Sequence, residues 1–269
     1  MNIMSERLAF PMYAVNELDT LALWWAVREL LAARGVAAKD MLSYSVPEDL
    51  LGHWRNPELL LSQTCGYPLV TRLADVQMVG CFHYSAPGCE GRNYRSLLVV
   101  REAQSRQTLA DFRGRRVACN SPDSQSGYNV LLKMVAPLSR DGRFFSTVVF
   151  SGSHRQSLRE LQQRTADIAA IDCVTWALLQ RHHPDALAGL AVIAHSPLAP
   201  GLPLITSAKT PAATLGVLRE ALQQLVSDEH YRSLCEALFI SGYSDIRRAD
   251  YQPLLAWRED AAARGVARL

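Results

Sequence analysis

Apolar runs of strand length alternate along this chain with stretches whose apolar residues return every three or four positions. That alternation is the layering of an α/β fold. Residues 8–13 read as a first strand. Asn16, followed by the acidic Glu17 and Asp19, is a helix N-cap, and Gly35 ends that helix near Arg34. Further strands are expected at 41–45, 59–62, 76–82 and 95–101, with segment 47–54 and a turn or short helix after Gly66 between them. A second set follows: strands at 116–120, 146–150, 167–171, 190–195 and 204–207, and helices at 126–135, 154–164 and 173–181. Thr210 as cap and Pro211 in the first position open the clearest helix, where Leu215, Leu218, Leu222 and Leu225 share a face. Residues 210–269 read as mainly helical.

Composition narrows the function classes. Hydrophobic residues are 49% of the 269 and charged residues 20%, the balance of a globular chain rather than a disordered one. A formal net charge of +2 supplies no field for drawing in nucleic acid or an anionic membrane. No apolar run approaches the roughly 18 residues of a membrane span. The start of the chain has no basic-then-apolar signal pattern, so the sequence as written is expected in the cytoplasm, and in the periplasm if an export signal precedes it. The six cysteines (65, 81, 89, 119, 173 and 235) form no metal-binding grouping and read as reduced, buried thiols, with Cys81 and Cys89 near enough in sequence to meet across a loop.

In an open α/β sheet, ligands sit beyond the carboxyl ends of the strands, where helix starts present unpaired N–H groups and partial positive charge. Four strand-to-helix junctions here carry small hydroxyl residues: 63–67, 120–128, 151–154 and 171–176. In the second, Ser124 and Ser126 offer hydroxyls around a first helical turn, and Gly127 opens the backbone to a ligand. That set suits a tetrahedral oxyanion, and plain capping by Ser126 explains it equally well. His154 is a candidate cationic donor to the same anion, or an exposed residue in a Ser153-x-x-Gln156 capping box. Asp172 either holds a polar ligand group or caps its helix.

These stretches resemble the solute-binding proteins for phosphate, phosphite and phosphonate that serve ABC importers. The resemblance runs through residues 109–118, Ser124-Gln125-Ser126-Gly127-Tyr128, Ser151-Gly152-Ser153-His154 and 166–172, in order and spacing, and is strongest over 97–206. It implies an α/β, two-lobed periplasmic-binding-protein type II fold with a ligand cleft between the lobes. Lobe 1 would comprise 1–97 and 204–269, lobe 2 would comprise 98–203, and hinge crossovers would lie near 97–101 and 195–203. It further implies that Ser124, Ser126, the N–H groups of Gly127 and Tyr128, Ser153 and His154 surround the anion. Gln125 stands where the family's turn has a threonine, and the glutamate that holds a ligand amine falls near Val174, so that role is either missing here or has moved to Asp172. Tyr13, Tyr44 and Tyr84 are the tyrosines expected from the other lobe, and Gln63, Thr64 and Cys65 of the first junction complete the ligand set.

The expected protein is a non-catalytic binder without cofactor or metal. Its partners would be a small anionic ligand and the membrane subunits of an ABC transporter, with no nucleic acid, and it would be a monomer or weak dimer. Two alternatives stand beside this: a cytoplasmic ligand sensor with the same fold, and a thiol-dependent hydrolase using Cys65, His154 and Asp172. His182-His183 reads as an exposed helix end rather than a metal pair, and Trp24-Trp25 as packing.

Overall fold

In the computed structural model the described residues are 8–36, 44 and 46–269. The expected strand at 41–45 lies outside them apart from Tyr44. In chain order the elements begin with β1 (Leu8–Ala9), α1 (Glu17–Ala32), α2 (Leu50–Trp54), β2 (Leu61–Gln63), α3 (Gly66–Thr71) and β3 (Gln77–Tyr84). Next come β4 (Asn93–Tyr94), β5 (Ser96–Arg101), β6 (Arg116–Cys119), α4 (Val130–Val135), β7 (Thr147–Phe150), α5 (His154–Gln162), β8 (Ile168–Asp172), α6 (Cys173–His182) and β9 (Leu190–His195). The last elements are β10 (Ala199–Pro200), β11 (Pro203–Thr206), α7 (Ala212–Ser227), α8 (Arg232–Ala237), β12 (Ile240–Ser244) and α9 (Gln252–Ala263).

Two compact units result. The first takes the described residues of Met1–Ser85 together with Pro200–Asp250; the second takes Ala86–Ala199 and Tyr251–Leu269. The expected division put all of 204–269 in lobe 1, and on this point the structure differs. Residues 251–269 belong with the second unit because α9 packs on α4: Lys133 pairs with Asp260 at 3.1 Å, and the Asn129 side-chain amide donates to the Leu254 carbonyl at 3.0 Å.

The first unit is built on a five-stranded sheet in the order β1-β2-β11-β3-β12. β1 and β2 run parallel, while β11 is antiparallel to β2 and β3. β12 pairs antiparallel with β3, a strand within a region expected to be helical. Asn16 caps α1 as expected, its side chain accepting from the Asp19 N–H at 3.1 Å. Trp24 is buried and donates its indole N–H to the Leu8 carbonyl, whereas Trp25 is half-exposed under the Arg28 guanidinium. Thr210 does not cap α7. Pro211 holds the N-cap position without a side-chain bond, and the Thr210 hydroxyl pairs with Thr206.

The second unit's sheet has the order β7-β6-β8-β5-β9. β6 is parallel to both β7 and β8, and β5 is antiparallel to β8 and β9. Its core packs Leu98 and Val100 of β5, Val117 and Cys119 of β6 and Ile168 and Ala170 of β8 against Leu131 and Val135 of α4. Because β7, β6 and β8 are adjacent and parallel, their carboxyl ends share one edge. The helix starts after all three strands therefore face the same side, which places the candidate anion-binding residues together.

Candidate functional site

The turn after β6 is not a plain α-helical start. Ser124 is extended, its Oγ accepts from the Gly127 N–H at 3.0 Å, and residues Gln125–Asn129 form a π turn before α4. The first ladder bond runs from the Asn129 N–H to the Ser124 carbonyl at 2.9 Å. N–H groups ahead of that bond lie outside the ladder, and wide turns of this kind are frequent at functional sites. Ser124 thus consumes the Gly127 N–H that was expected to face an anion, and the Ser126 and Tyr128 N–H groups remain at the mouth of the turn. The turn is anchored from below, since the Ser96 hydroxyl donates to the Ser126 carbonyl at 2.9 Å.

Asn120 is a residue the sequence reading did not single out, although it opens the junction after β6. A β-carbon on Gly127 would lie 1.9 Å from its side-chain oxygen. Gly127 is therefore glycine because the Asn120 amide packs on its backbone, not because the space above it is open. Gln125 also departs from expectation. It is buried, and its carbonyl oxygen accepts from the Asn129 side chain at 2.8 Å, so it braces the turn from inside. The Tyr128 ring lies 6.0 Å from that of Phe150, and its hydroxyl accepts from the Leu269 N–H at 3.3 Å. The Tyr128 side chain is thus engaged by Phe150 and Leu269, and its backbone N–H lies outside the helical ladder.

Beyond β7, the Ser153 hydroxyl caps α5 by accepting from the Gln156 N–H at 3.1 Å. Gln156 does not close a capping box: its side-chain oxygen accepts from Arg159 and its amide donates to Glu160. His154, the first residue of α5, joins the two junctions: its Nε2 is 2.8 Å from Ser126 Oγ. Burial pushes its pKa down to about 4 against an opposing contribution from the Ala170 backbone, so the ring is neutral near pH 7. In the free chain His154 thus offers a hydrogen bond without a charge. Beyond β8, the Asp172 carboxylate is buried and accepts from the Val174 and Thr175 N–H groups at 2.8 and 3.2 Å. It is the N-cap of α6.

Of the expected residues of the first unit, Gln63, Tyr13 and Tyr84 meet one another. The Gln63 amide donates to the Tyr84 hydroxyl at 3.0 Å, and the Tyr13 and Tyr84 rings meet edge to face at 4.9 Å. Thr64 is fully buried and its hydroxyl has no hydrogen-bond partner among the described residues. Cys65 precedes α3 without a side-chain capping bond. Tyr44 packs edge-on against Trp24. A thiol hydrolase finds no support here, because the partner of His154 is Ser126 and the Asp172 carboxylate is committed to capping α6. No metal-binding cluster occurs among the described residues, and no described helix is long and apolar enough to cross a membrane.

The model of a family described as "ABC transporter, phosphonate, periplasmic substrate-binding protein" matches residues 58–251. No curated protein matches the chain. Among solved structures, the binding-protein component of an ABC phosphonate transporter from Pseudomonas aeruginosa is similar at a TM-score of 0.77 and 17% identity, covering 96% of this chain and 87% of that one. The PhnD1 protein of Prochlorococcus marinus in complex with methylphosphonate is similar at 0.75 and 12%, with 97% and 100% covered. A Xanthomonas citri protein bound to ATP follows at 0.70 and 14%, with 95% and 96% covered. The fold is that of the two-lobed periplasmic binding proteins. With most of its length matched by the family model, this chain belongs to the periplasmic substrate-binding proteins of ABC phosphonate transporters, a family of binders rather than enzymes.

Proposed function

We propose that this chain captures a small tetrahedral oxyanion, a phosphonate or phosphate, and delivers it to the membrane subunits of an ABC importer. The observation that carries this reading is the 2.8 Å contact between Ser126 Oγ and His154 Nε2, which joins two helix starts at one sheet edge. Ser126 supplies a hydroxyl and its backbone N–H, Tyr128 a backbone N–H and His154 a neutral imidazole. Ser124, Gln125 and Ser153 hold that constellation in shape through the π turn and the cap of α5, while Asp172 caps α6. Membership in a periplasmic family favours the periplasm over the cytoplasm as its place of work.

Thermal unfolding with methylphosphonate, phosphate and sulfate tests the reading. A ligand at ~100 times its Kd adds about 2.7 kcal/mol, so a clear upward shift is expected with at least one phosphorus oxyanion. Phosphorus NMR of the same samples should show the ligand unchanged after incubation. Absence of any shift, or conversion of the ligand, contradicts it.

A further inference from the structure

We propose that Cys89 and Cys173 form a disulfide in an oxidising compartment, tying the loop ahead of β4 to the first residue of α6. Their sulfur atoms lie 3.5 Å apart. The bond length of a disulfide is about 2.05 Å, so closure requires an approach of roughly 1.5 Å, within the reach of side-chain rotation.

The backbone around both residues holds them in that approach. The Cys173 N–H donates to the Arg95 carbonyl at 3.1 Å, and the Cys89 N–H to the Ala86 carbonyl at 3.0 Å. Gly88, at φ +101°, runs so close to α6 that a β-carbon there would lie 3.1 Å from the Cys173 Cβ. The Arg95 guanidinium donates to the Gly88 carbonyl at 3.1 Å and closes the loop on itself. The expectation set Cys89 beside Cys81; the sulfur that the structure places against Cys89 is that of Cys173.

The chemistry is thiol–disulfide exchange with a disulfide-bearing oxidant. Cys89 is half-exposed and Cys173 buried, so Cys89 is the sulfur an external disulfide reaches. The contact with Cys89 and burial both push the Cys173 thiol up, which leaves it protonated until the second step. Cys89 as thiolate attacks one sulfur of the oxidant, forming a mixed disulfide and releasing the first thiol. Cys173 then attacks the Cys89 sulfur, and its proton leaves with the second thiol. Two cysteine thiols are oxidised and one external disulfide is reduced to two thiols.

The two residues are 84 apart in sequence, so the bond closes a long loop and restricts the unfolded chain accordingly. The full chain, reduced and then incubated with oxidised glutathione, should fall from six free thiols to four. Peptide mapping should recover a Cys89–Cys173 cross-link, and the melting temperature should rise by about 5–10 °C. Cys81→Ser should keep the cross-link. Cys89→Ser and, separately, Cys173→Ala should lose both the cross-link and the rise in melting temperature. Retention of six thiols, a cross-link between other cysteines, or glutathione left on Cys89 without resolution by Cys173 would overturn the proposal.

Discussion

An exposed histidine titrates near pH 6.5, and the sequence alone offers His154 no reason to differ. Packing at the start of α5 changes its chemistry by pushing the pKa down to about 4. The sign of the linkage follows: between pH 6.5 and 4 the unfolded chain binds the proton and the folded chain does not. The stability contribution is therefore complete above pH 6.5 and is lost as pH falls toward 4. Urea unfolding of His154→Gln should show a smaller loss of stability than the parent between pH 7 and pH 4.5. With a ring that stays neutral in the complex as in the free chain, His154→Ala should weaken anion binding by the same factor at pH 6 and at pH 8. A cost much larger at pH 6 would restore the cationic reading. Asp172→Ala removes the acceptor of two N–H groups at the start of α6, an N-cap loss of about 1–2 kcal/mol measurable by denaturant midpoint. Anion affinity should be close to unchanged in that variant, since the carboxylate acts as a cap.

At the scale of elements, the alternation of apolar runs located β3, β5, β6, β7, β8 and β9 to within a few residues, and the hydroxyl-rich junctions marked the helix starts. Three features escaped it for physical reasons. The π turn at 125–129 depends on one extra residue in the ladder, which the spacing of apolar side chains does not encode. β12 is Ile-Ser-Gly-Tyr-Ser, a weak strand pattern that acquires its conformation by pairing with β3. The unit to which α9 belongs depends on which surface its apolar side covers, a tertiary fact that periodicity does not carry. Leu254 of α9 is fully buried, and its carbonyl accepts from Asn129 beside the π turn. Leu254→Ala should cost about 2–5 kcal/mol by chemical denaturation. A loss under 1 kcal/mol would show that α9 contributes little to the second unit.

For the molecule as a whole, the resemblance in the sequence and the family match point to the same class of protein, and the local geometry refines the roles within it. Of the residues singled out beforehand, Ser126 and His154 are joined directly, and Ser124, Ser153 and Asp172 are spent on caps. Residue types revealed the candidates, but whether a hydroxyl faces a ligand or its own helix is decided by backbone angles that residue identity leaves open. Isothermal titration of the parent and of Ser126→Ala with the best phosphorus oxyanion from the thermal screen tests the central claim most directly. A hydrogen bond to a charged group contributes roughly 1.5–3 kcal/mol, so one anion should bind per parent chain and Ser126→Ala should bind it about ten- to a hundredfold more weakly. Equal affinity in parent and variant would contradict the account, because the anion would then lie away from the helix starts that Ser126 and His154 bring together.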